Sequence, residues 1–216
     1  MSVWSNSIFP RFLDWTARDN DELKQLRTRA LAPAQGRVLE LGFGTGLNLP
    51  HYPPSVTQIV AVDPNPGMAA LAHRRMQELG KAVEHHQISA ESLPFDTGSF
   101  DSVVCTLTLC SIPNVRAALA EVTRVLRPGG EFLFFEHGRH AEPSVAKWQD
   151  RLDPLWKLIF DGCHINRDIG QLVSGAGLAL RGIEHPPMRA PRIVGFVYLG
   201  RAMRPVAAQN VPSHHF

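Results

Sequence analysis

The chain has 216 residues, of which 44% are hydrophobic and 19% are charged, and its formal net charge is +2. This composition suits one α/β domain with a sizeable core, and so small a charge without a basic stripe argues against a nucleic-acid-binding protein. No apolar stretch reaches the ~18 residues that a membrane-spanning helix needs. The three cysteines lack Cys-x-x-Cys spacing, so we expect reduced thiols in a cytoplasmic protein, and we expect no metal site.

Residues 1–35 predict a helical segment ahead of the main domain. Apolar side chains recur at helical spacing in its first half, and a more polar helix is predicted near residues 20–31. The apolar face comprises Trp4, Ile8, Phe9, Phe12, Leu13 and Trp15. We interpret this segment as a lid over a site in residues 36–200. The simpler alternative is that these side chains only pack against the domain.

A glycine-rich turn follows the first predicted strand. The apolar run around Glu40 ends at three alternating glycines, Gly42, Gly44 and Gly46. Glycine lets a strand turn sharply and approach a ligand closely because it has no Cβ. Pyrophosphate-binding loops use the longer spacing Gly-x-Gly-x-x-Gly, and Leu47 occupies the place of its third glycine. An NAD-type dehydrogenase is therefore disfavoured, although an ordinary βα turn would also use some of these glycines.

The second predicted strand, near residues 57–63, ends in Asp63. In Rossmann-type folds an acid at this point hydrogen-bonds ribose hydroxyls, whereas Asp63 taken alone is equally consistent with an ordinary loop acid. A helix is predicted over residues 66–79, with Asn65 as its N-cap and Gly80 ending it. The glycine turn at the right distance upstream favours ribose binding by Asp63.

Two later segments are predicted to lie close to the glycine turn. Residues 89–91 follow the third predicted strand, and Thr106 ends the fourth. Ligands of open parallel sheets bind beyond the carboxyl ends of the strands. We therefore expect residues 89–91 and Thr106 to lie beside the glycine turn and Asp63.

The alternation of strands and helices predicts a single Rossmann-like, doubly wound α/β domain. Strands are predicted near 37–42, 57–63, 82–88, 100–107, 130–136, 179–185 and 192–199, and helices near 66–79, 114–126 and over much of 143–176. Too few residues separate the last two strands for a crossover helix, so they should form an antiparallel hairpin at one edge of a mostly parallel, seven-stranded sheet. Residues 201–216 are predicted to be a disordered tail.

A second lid segment is predicted at residues 137–178, inserted in the main domain. Its candidate catalytic groups are His137 at the end of the fifth strand, Asp161 and His164. Each has a simpler alternative, since a histidine can satisfy loop backbone and Asp161 before a glycine suits a turn. Cys163 can be reactive, but a small buried thiol is its commoner fate. An apolar lid favours an apolar or amphipathic substrate.

The glycine turn with its strand acid resembles motif I of the class I S-adenosylmethionine-dependent methyltransferases. The resemblance implies S-adenosylmethionine as cofactor, with residues 89–91 flanking the adenine and Thr106 beside the methionine part. The implied cofactor-binding residues are Glu40, Gly42, Gly44, Gly46, Asp63, Pro64, Ser89, Ala90, Glu91 and Thr106. A longer series of residues is similar to the methyltransferase-like group that methylates alkyl thiols. That series comprises Thr106 to Ser111, Glu136-His137, Leu152-Asp153-Pro154, Trp156, Phe160 to Cys163, and Arg167.

The resemblance implies transfer of a methyl group to a small hydrophobic thiol by direct in-line displacement. Two alternatives stay open: a quinone-like or amphipathic lipid acceptor, and a catalytically silent protein that binds S-adenosylmethionine. We expect a small-molecule acceptor, no nucleic-acid partner and no stable membrane anchor, because the hydrophobic N-terminal anchor of the animal members is not matched here. The sequence leaves the acceptor's identity, the pathway and the oligomeric state open.

Overall fold

A computed structural model describes residues 4–18 and 20–206 of the chain. The greater part of the predicted tail, residues 207–216, lies outside this range. The strands are β1 (Gly36–Leu41), β2 (Val56–Val62), β3 (Glu84–His86), β4 (Phe100–Thr106), β5 (Leu126–His137), β6 (Ala179–Glu184) and β7 (Val197–Met203). The α-helices are α1 (Phe9–Arg18), α2 (Asp21–Leu31), α3 (Pro66–Leu79), α4 (Val115–Val125), α5 (Pro143–Ile159) and α6 (Ile169–Gly175). A π-helical turn, Trp4–Ile8, precedes α1, and a 3₁₀ turn, Leu49–His51, follows the glycine-rich turn.

The seven strands form one sheet in the order β3-β2-β1-β4-β5-β7-β6. Strands β1 to β5 pair in parallel, whereas β7 runs antiparallel to both β5 and β6. This confirms the predicted mostly parallel sheet with an antiparallel C-terminal hairpin at its edge. The chain order reverses between β1 and β4, which opens a crevice beyond the carboxyl ends of these strands.

Alternating side chains of the central strands cover both faces of the sheet. Leu39 and Leu41 pack into the larger core cluster with α4 and α6, while Val38 packs into the cluster that contains Leu26 and Leu31 of α2. The period of two in a strand produces this division, since successive side chains point to opposite faces. The parallel strands are therefore buried on both sides, as their continuous apolar sequences indicate.

Side-chain caps define where several helices begin. Asn20, Asn65, Asn114 and Asp168 each accept a hydrogen bond from a backbone N–H in the first turn of the helix that follows. Gly80 ends α3 in a left-handed conformation with φ of +60°. The predicted bounds and caps of the helix at 66–79 are thus confirmed.

The last strand differs from the prediction. It was expected near residues 192–199 but begins at Val197 and continues to Met203, so the sheet includes three residues that we predicted as tail. The reason is a turn in which Val194 and Gly195 donate backbone hydrogen bonds to the carbonyl of Pro191.

None of the helices formed by residues 4–18 and 20–206 is long and apolar enough to cross a membrane.

Candidate active site

A cavity of about 310 Å³ lies at the carboxyl ends of β1, β2 and β4. Eight of the ten predicted cofactor-binding residues line it, namely Glu40, Gly42, Gly44, Asp63, Pro64, Ser89, Ala90 and Thr106. Gly46 and Glu91 are not part of the lining. The Glu91 carboxylate instead accepts hydrogen bonds from the Ser89 hydroxyl and from the backbone N–H of Asn114, so it braces the loop that carries Ser89 and Ala90.

The glycine turn brings the backbone to the cavity surface in a conformation that suits glycine. Gly42 has φ of +67°, and a Cβ there would lie 2.1 Å from the Cγ2 atom of Thr108. Gly44 has φ of +56°, and the atom nearest to a notional Cβ there is the carbonyl oxygen of Gly42 at 3.9 Å, an ordinary contact distance. Gly42 is thus required for the close approach of the β4 loop, and Gly44 leaves room beside the cavity.

Asp63 is held at the end of β2 with its carboxylate fixed from two sides. The backbone N–H groups of Gly44 and Asn65 donate to its two oxygens, each over 2.8 Å. Burial raises the pKa of this carboxyl, and these hydrogen bonds oppose the shift. Because a carboxylate oxygen accepts more than one hydrogen bond, Asp63 can still bind a diol such as that of ribose.

A buried polar network forms one end of the cavity. The guanidinium of Arg27 donates to Asn48 Oδ1 (2.7 Å) and to Thr106 Oγ1 (2.9 Å). Asn48 and Tyr52 in turn donate to the Glu40 carboxylate, over 2.8 and 2.7 Å. The sequence analysis did not identify Arg27, Asn48 or Tyr52. Arg27 could have been identified from the sequence as a charged residue within the apolar face of α2.

This network places a buried cation near a buried acid at the cavity surface. Burial lowers the pKa of Arg27 to about 10 and raises the pKa of Glu40 to about 7. Arg27 therefore stays charged at neutral pH, and its buried Nε has no hydrogen-bond partner among the described residues. An orphaned donor of this kind, beside an acid, fits a ligand with the carboxylate and ammonium of a free amino acid.

The remainder of the cavity surface is largely apolar. Phe9, Leu13, Leu107, Ile112 and Pro113 line it, and we call these residues the apolar lining. The polar lining, by contrast, comprises Arg27, Glu40, Gly42, Gly44 and Asp63.

Buried Glu136 and half-buried Arg167 hold the loop between β4 and α4, which supplies most of the apolar lining. The Glu136 carboxylate accepts hydrogen bonds from the backbone N–H groups of Thr108 and Leu109, over 2.8 and 2.9 Å. Arg167 donates to the carbonyls of Leu109 and Ile112. Leu107 has φ of +51°, a costly conformation for a branched side chain, so these contacts stabilise a strained loop.

The N-terminal helix α1 is fastened over the glycine turn. Asp14 accepts a hydrogen bond from the Thr45 hydroxyl (2.7 Å) and forms an ion pair with Arg75 of α3 (2.8 Å). The carboxyl pKa of Asp14 is lowered, because hydrogen bonds from Thr45 and Arg75 outweigh the opposing effect of burial. This attachment positions Phe9 and Leu13 at the cavity.

The three predicted catalytic residues occupy different positions. Asp161 lines the cavity and has φ of +50°. His137 does not line it, and its Nε2 lies 3.1 Å from the Sγ of Cys163. His164 also lies outside the lining, where its Nδ1 is 3.0 Å from a carboxylate oxygen of Asp153.

Comparison with known proteins shows which family this chain resembles. Residues 39–134 match a model described as a methyltransferase domain. The human thiol S-methyltransferase TMT1A is 39% identical over 209 residues, covering 86% of this chain and 82% of the relative. A demethylmenaquinone methyltransferase of Clavibacter sepedonicus is 36% identical over 213 residues, covering 89% and 84%.

A solved structure agrees on the fold. The YcgJ protein of Bacillus subtilis superposes with a TM-score of 0.65 at 22% identity, covering 85% of this chain and 96% of that protein. The identity to TMT1A over most of both chains, together with the cavity at the switch point of the sheet, identifies the chain as a member of the S-adenosylmethionine-dependent methyltransferases.

Proposed function

We propose that the protein methylates a small hydrophobic thiol. The observation that carries this proposal is the similarity to thiol S-methyltransferase TMT1A over most of both chains. The apolar lining supports it, because a surface of Phe9, Leu13, Leu107, Ile112 and Pro113 suits an apolar molecule beside the methyl donor.

The polar lining is suited to hold the methyl donor. In this proposal Asp63 binds the ribose hydroxyls, and Ser89 and Ala90 contact the adenine. Arg27 binds the methionine carboxylate, and Glu40 binds its ammonium. Gly44 leaves room for the donor beside the backbone where the strand turns, while Gly42 lets the loop that carries Thr108 approach closely.

Methyl transfer needs little further chemistry from the protein. S-adenosylmethionine supplies a methyl group that is already activated by its sulfonium. The chain's residues must align the acceptor sulfur with that methyl group and exclude water. With the donor bound, the acceptor sulfur would take the methyl group as the bond from that carbon to the sulfonium breaks, and the thiol proton would pass to solvent before the attack.

A strong general base is not required for a thiol. An ordinary thiol has a pKa of ~8.5, so a few per cent is ionised at neutral pH. Of the three predicted catalytic residues, Asp161 is the one at the cavity surface, and we propose that it contacts the acceptor. The roles of His137 and His164 in proton transfer stay predictions.

A quinone-like acceptor is the second candidate. The similarity to the demethylmenaquinone methyltransferase covers a slightly larger part of this chain than that to TMT1A. An apolar lining also suits a quinone ring.

The deciding experiment is a methyl-transfer assay with isotopically labelled donor and a panel of alkyl thiols, quinols, phenols and amines. We expect turnover with hydrophobic thiols. Methylation of a quinol without any activity on thiols would replace the proposal by the second candidate. Donor binding by calorimetry without turnover on any acceptor would instead identify a silent binding protein.

The pH dependence gives a second criterion. The rate should rise with pH toward the pKa of each thiol, so that more acidic thiols reach their plateau at lower pH. A profile that does not depend on the pKa of the thiol would contradict attack by a thiolate formed in solution.

A further inference from the structure

Two thiols and an imidazole meet outside the cavity lining, although three separate elements carry them. Cys110 lies in the loop after β4, His137 ends β5, and Cys163 follows α5. One ligand atom from each, two Sγ atoms and a ring nitrogen, all lie within 4.8 Å of one another. We call Cys110, His137 and Cys163 the thiol–imidazole cluster.

The proposed methyl transfer assigns no role to Cys110 or Cys163, and a role of His137 in proton transfer stays a prediction. None of its three residues lines the cavity. His137 directs Nε2 toward Cys163 Sγ at 3.1 Å, and its buried Nδ1 has no partner among the described residues. The Sγ of Cys110 has a weak contact with the hydroxyl of Ser111, at 3.5 Å. His137 and Cys163 are therefore turned toward each other, and the Sγ of Cys110 lies within 4.8 Å of both ligand atoms.

We propose that Cys110, His137 and Cys163 bind a soft divalent cation, Zn²⁺ being the best match. Zinc takes thiolate and imidazole ligands at about 2.3 Å and 2.0–2.1 Å, so tetrahedral ligand atoms lie roughly 3.5–3.8 Å apart. The cluster already approaches this spacing, and small side-chain movements would complete it. Three protein ligands leave a fourth position for water or another small ligand, and binding releases the two thiol protons.

A divalent ion matches the charge of the ligands that it would bind. Zn²⁺ displaces the protons of the two thiols, so two thiolates balance its charge, and the imidazole binds as a neutral ligand.

The location gives the ion a role in shaping the site. It would join the loop that carries Leu107, the end of β5 and the segment that carries Asp161. Those two residues have positive φ, so a cross-link between their segments would help to hold a strained surface. This inference does not depend on which acceptor is methylated.

Metal uptake by the full chain tests the proposal. The protein is reduced with a phosphine, stripped with a chelator and titrated with Zn²⁺ or Co²⁺ alone. His214 and His215 are replaced by alanine throughout, so that the paired C-terminal histidines add no binding. We expect one equivalent of metal per chain, and thiolate-to-metal charge-transfer absorption with Co²⁺. Cys110→Ser, Cys163→Ser and His137→Gln should each weaken binding at least about tenfold.

Cys105→Ser and His164→Gln are the matched controls and should bind metal as before, since neither residue belongs to the cluster. If a cluster variant fails to fold, X-ray absorption on the zinc-loaded parent chain gives the answer instead, through two sulfur ligands and one imidazole. Folded, reduced protein that takes up no metal would overturn the proposal. Metal uptake that Cys163→Ser leaves unchanged would also overturn it. The same holds if Cys110 and Cys163 readily form a disulfide with oxidised glutathione while the reduced chain binds no metal.

Discussion

The polar and apolar linings of the cavity are held in place in different ways. Asp63 and Glu40 stand at or near strand ends, and hydrogen bonds of 2.7–2.8 Å from nearby groups fix their carboxylates. Leu107 lies instead on a strained loop that depends on Glu136 and Arg167, groups distant in sequence. The two carboxylates of the polar lining are thus largely preorganised, whereas the apolar lining depends on contacts among segments that are separately placed. We expect substitutions in the polar lining to affect binding of the donor, and substitutions in the apolar lining to affect binding of the acceptor.

The largest effect is expected from Gly42→Ala. The added Cβ would overlap the Thr108 side chain, and the residue would also occupy a left-handed conformation. The conformation alone costs about 1–3 kcal/mol, so we expect a lower free energy of unfolding and no donor binding detectable by calorimetry. Gly177→Ala is the control, because Gly177 has φ of +81° but no atom near its notional Cβ. Equal donor affinity in both variants would show that the close approach at Gly42 is dispensable.

Arg27→Met should remove the charge that we assign to the donor's carboxylate. Hydrogen bonds to charged groups contribute about 1.5–3 kcal/mol, so affinity for S-adenosylmethionine should fall by roughly ten- to 150-fold. Affinity for decarboxylated S-adenosylmethionine should change much less, because that ligand lacks the carboxylate. Arg29→Met, an exposed site on the same helix, is the control. An equal loss for both ligands would mean that Arg27 only supports the fold.

Asp63→Ala should weaken binding of both S-adenosylmethionine and its demethylated product. Loss of a charged acceptor for the ribose hydroxyls is expected to cost about 1–3 kcal/mol. Calorimetric titration measures this loss, and Asp96→Ala, an exposed loop acid, serves as the control. Unaltered affinity would assign Asp63 to bracing the glycine turn alone.

Glu40 should give donor binding a pH dependence. Burial raises its pKa to about 7, so the carboxyl is protonated below that pH and cannot pair with the donor's ammonium. Affinity should therefore rise as pH increases through about 7, and fall again as the ligand's α-amino group loses its proton near ~8. Glu40→Gln should lose the rising limb, and Glu184→Gln, at an exposed site, should keep it. A rising limb that persists in Glu40→Gln would assign that titration to another group.

The difference between the polar and apolar linings also explains which site residues could be predicted from the sequence. The glycine turn, Asp63 and Thr106 follow strands whose apolar patterns are local, and the sheet topology then brings them together by a general rule. Arg27 reaches the cavity from a helix ahead of β1, so only its position in an apolar helix face could have indicated it. Cys110, His137 and Cys163 are separated by more than 25 residues at each step. No local spacing predicts their meeting, since it depends on how the loop after β4 and the segment after α5 pack.

The smallest effect is expected from Leu13→Ala, which also tests whether α1 acts as a lid. Leu13 lines the cavity from a helix that Asp14 fastens to the glycine turn. Removing apolar surface of this size from a binding site costs about 1–2 kcal/mol, so the KM of a hydrophobic acceptor should rise several-fold. Donor affinity should hardly change, because the polar lining is untouched. Phe12→Ala removes an exposed side chain of the same helix that does not line the cavity, and should alter neither quantity. If Leu13→Ala instead weakened donor binding and left acceptor KM unchanged, α1 would belong functionally to the polar lining, and the division between the two linings would fail.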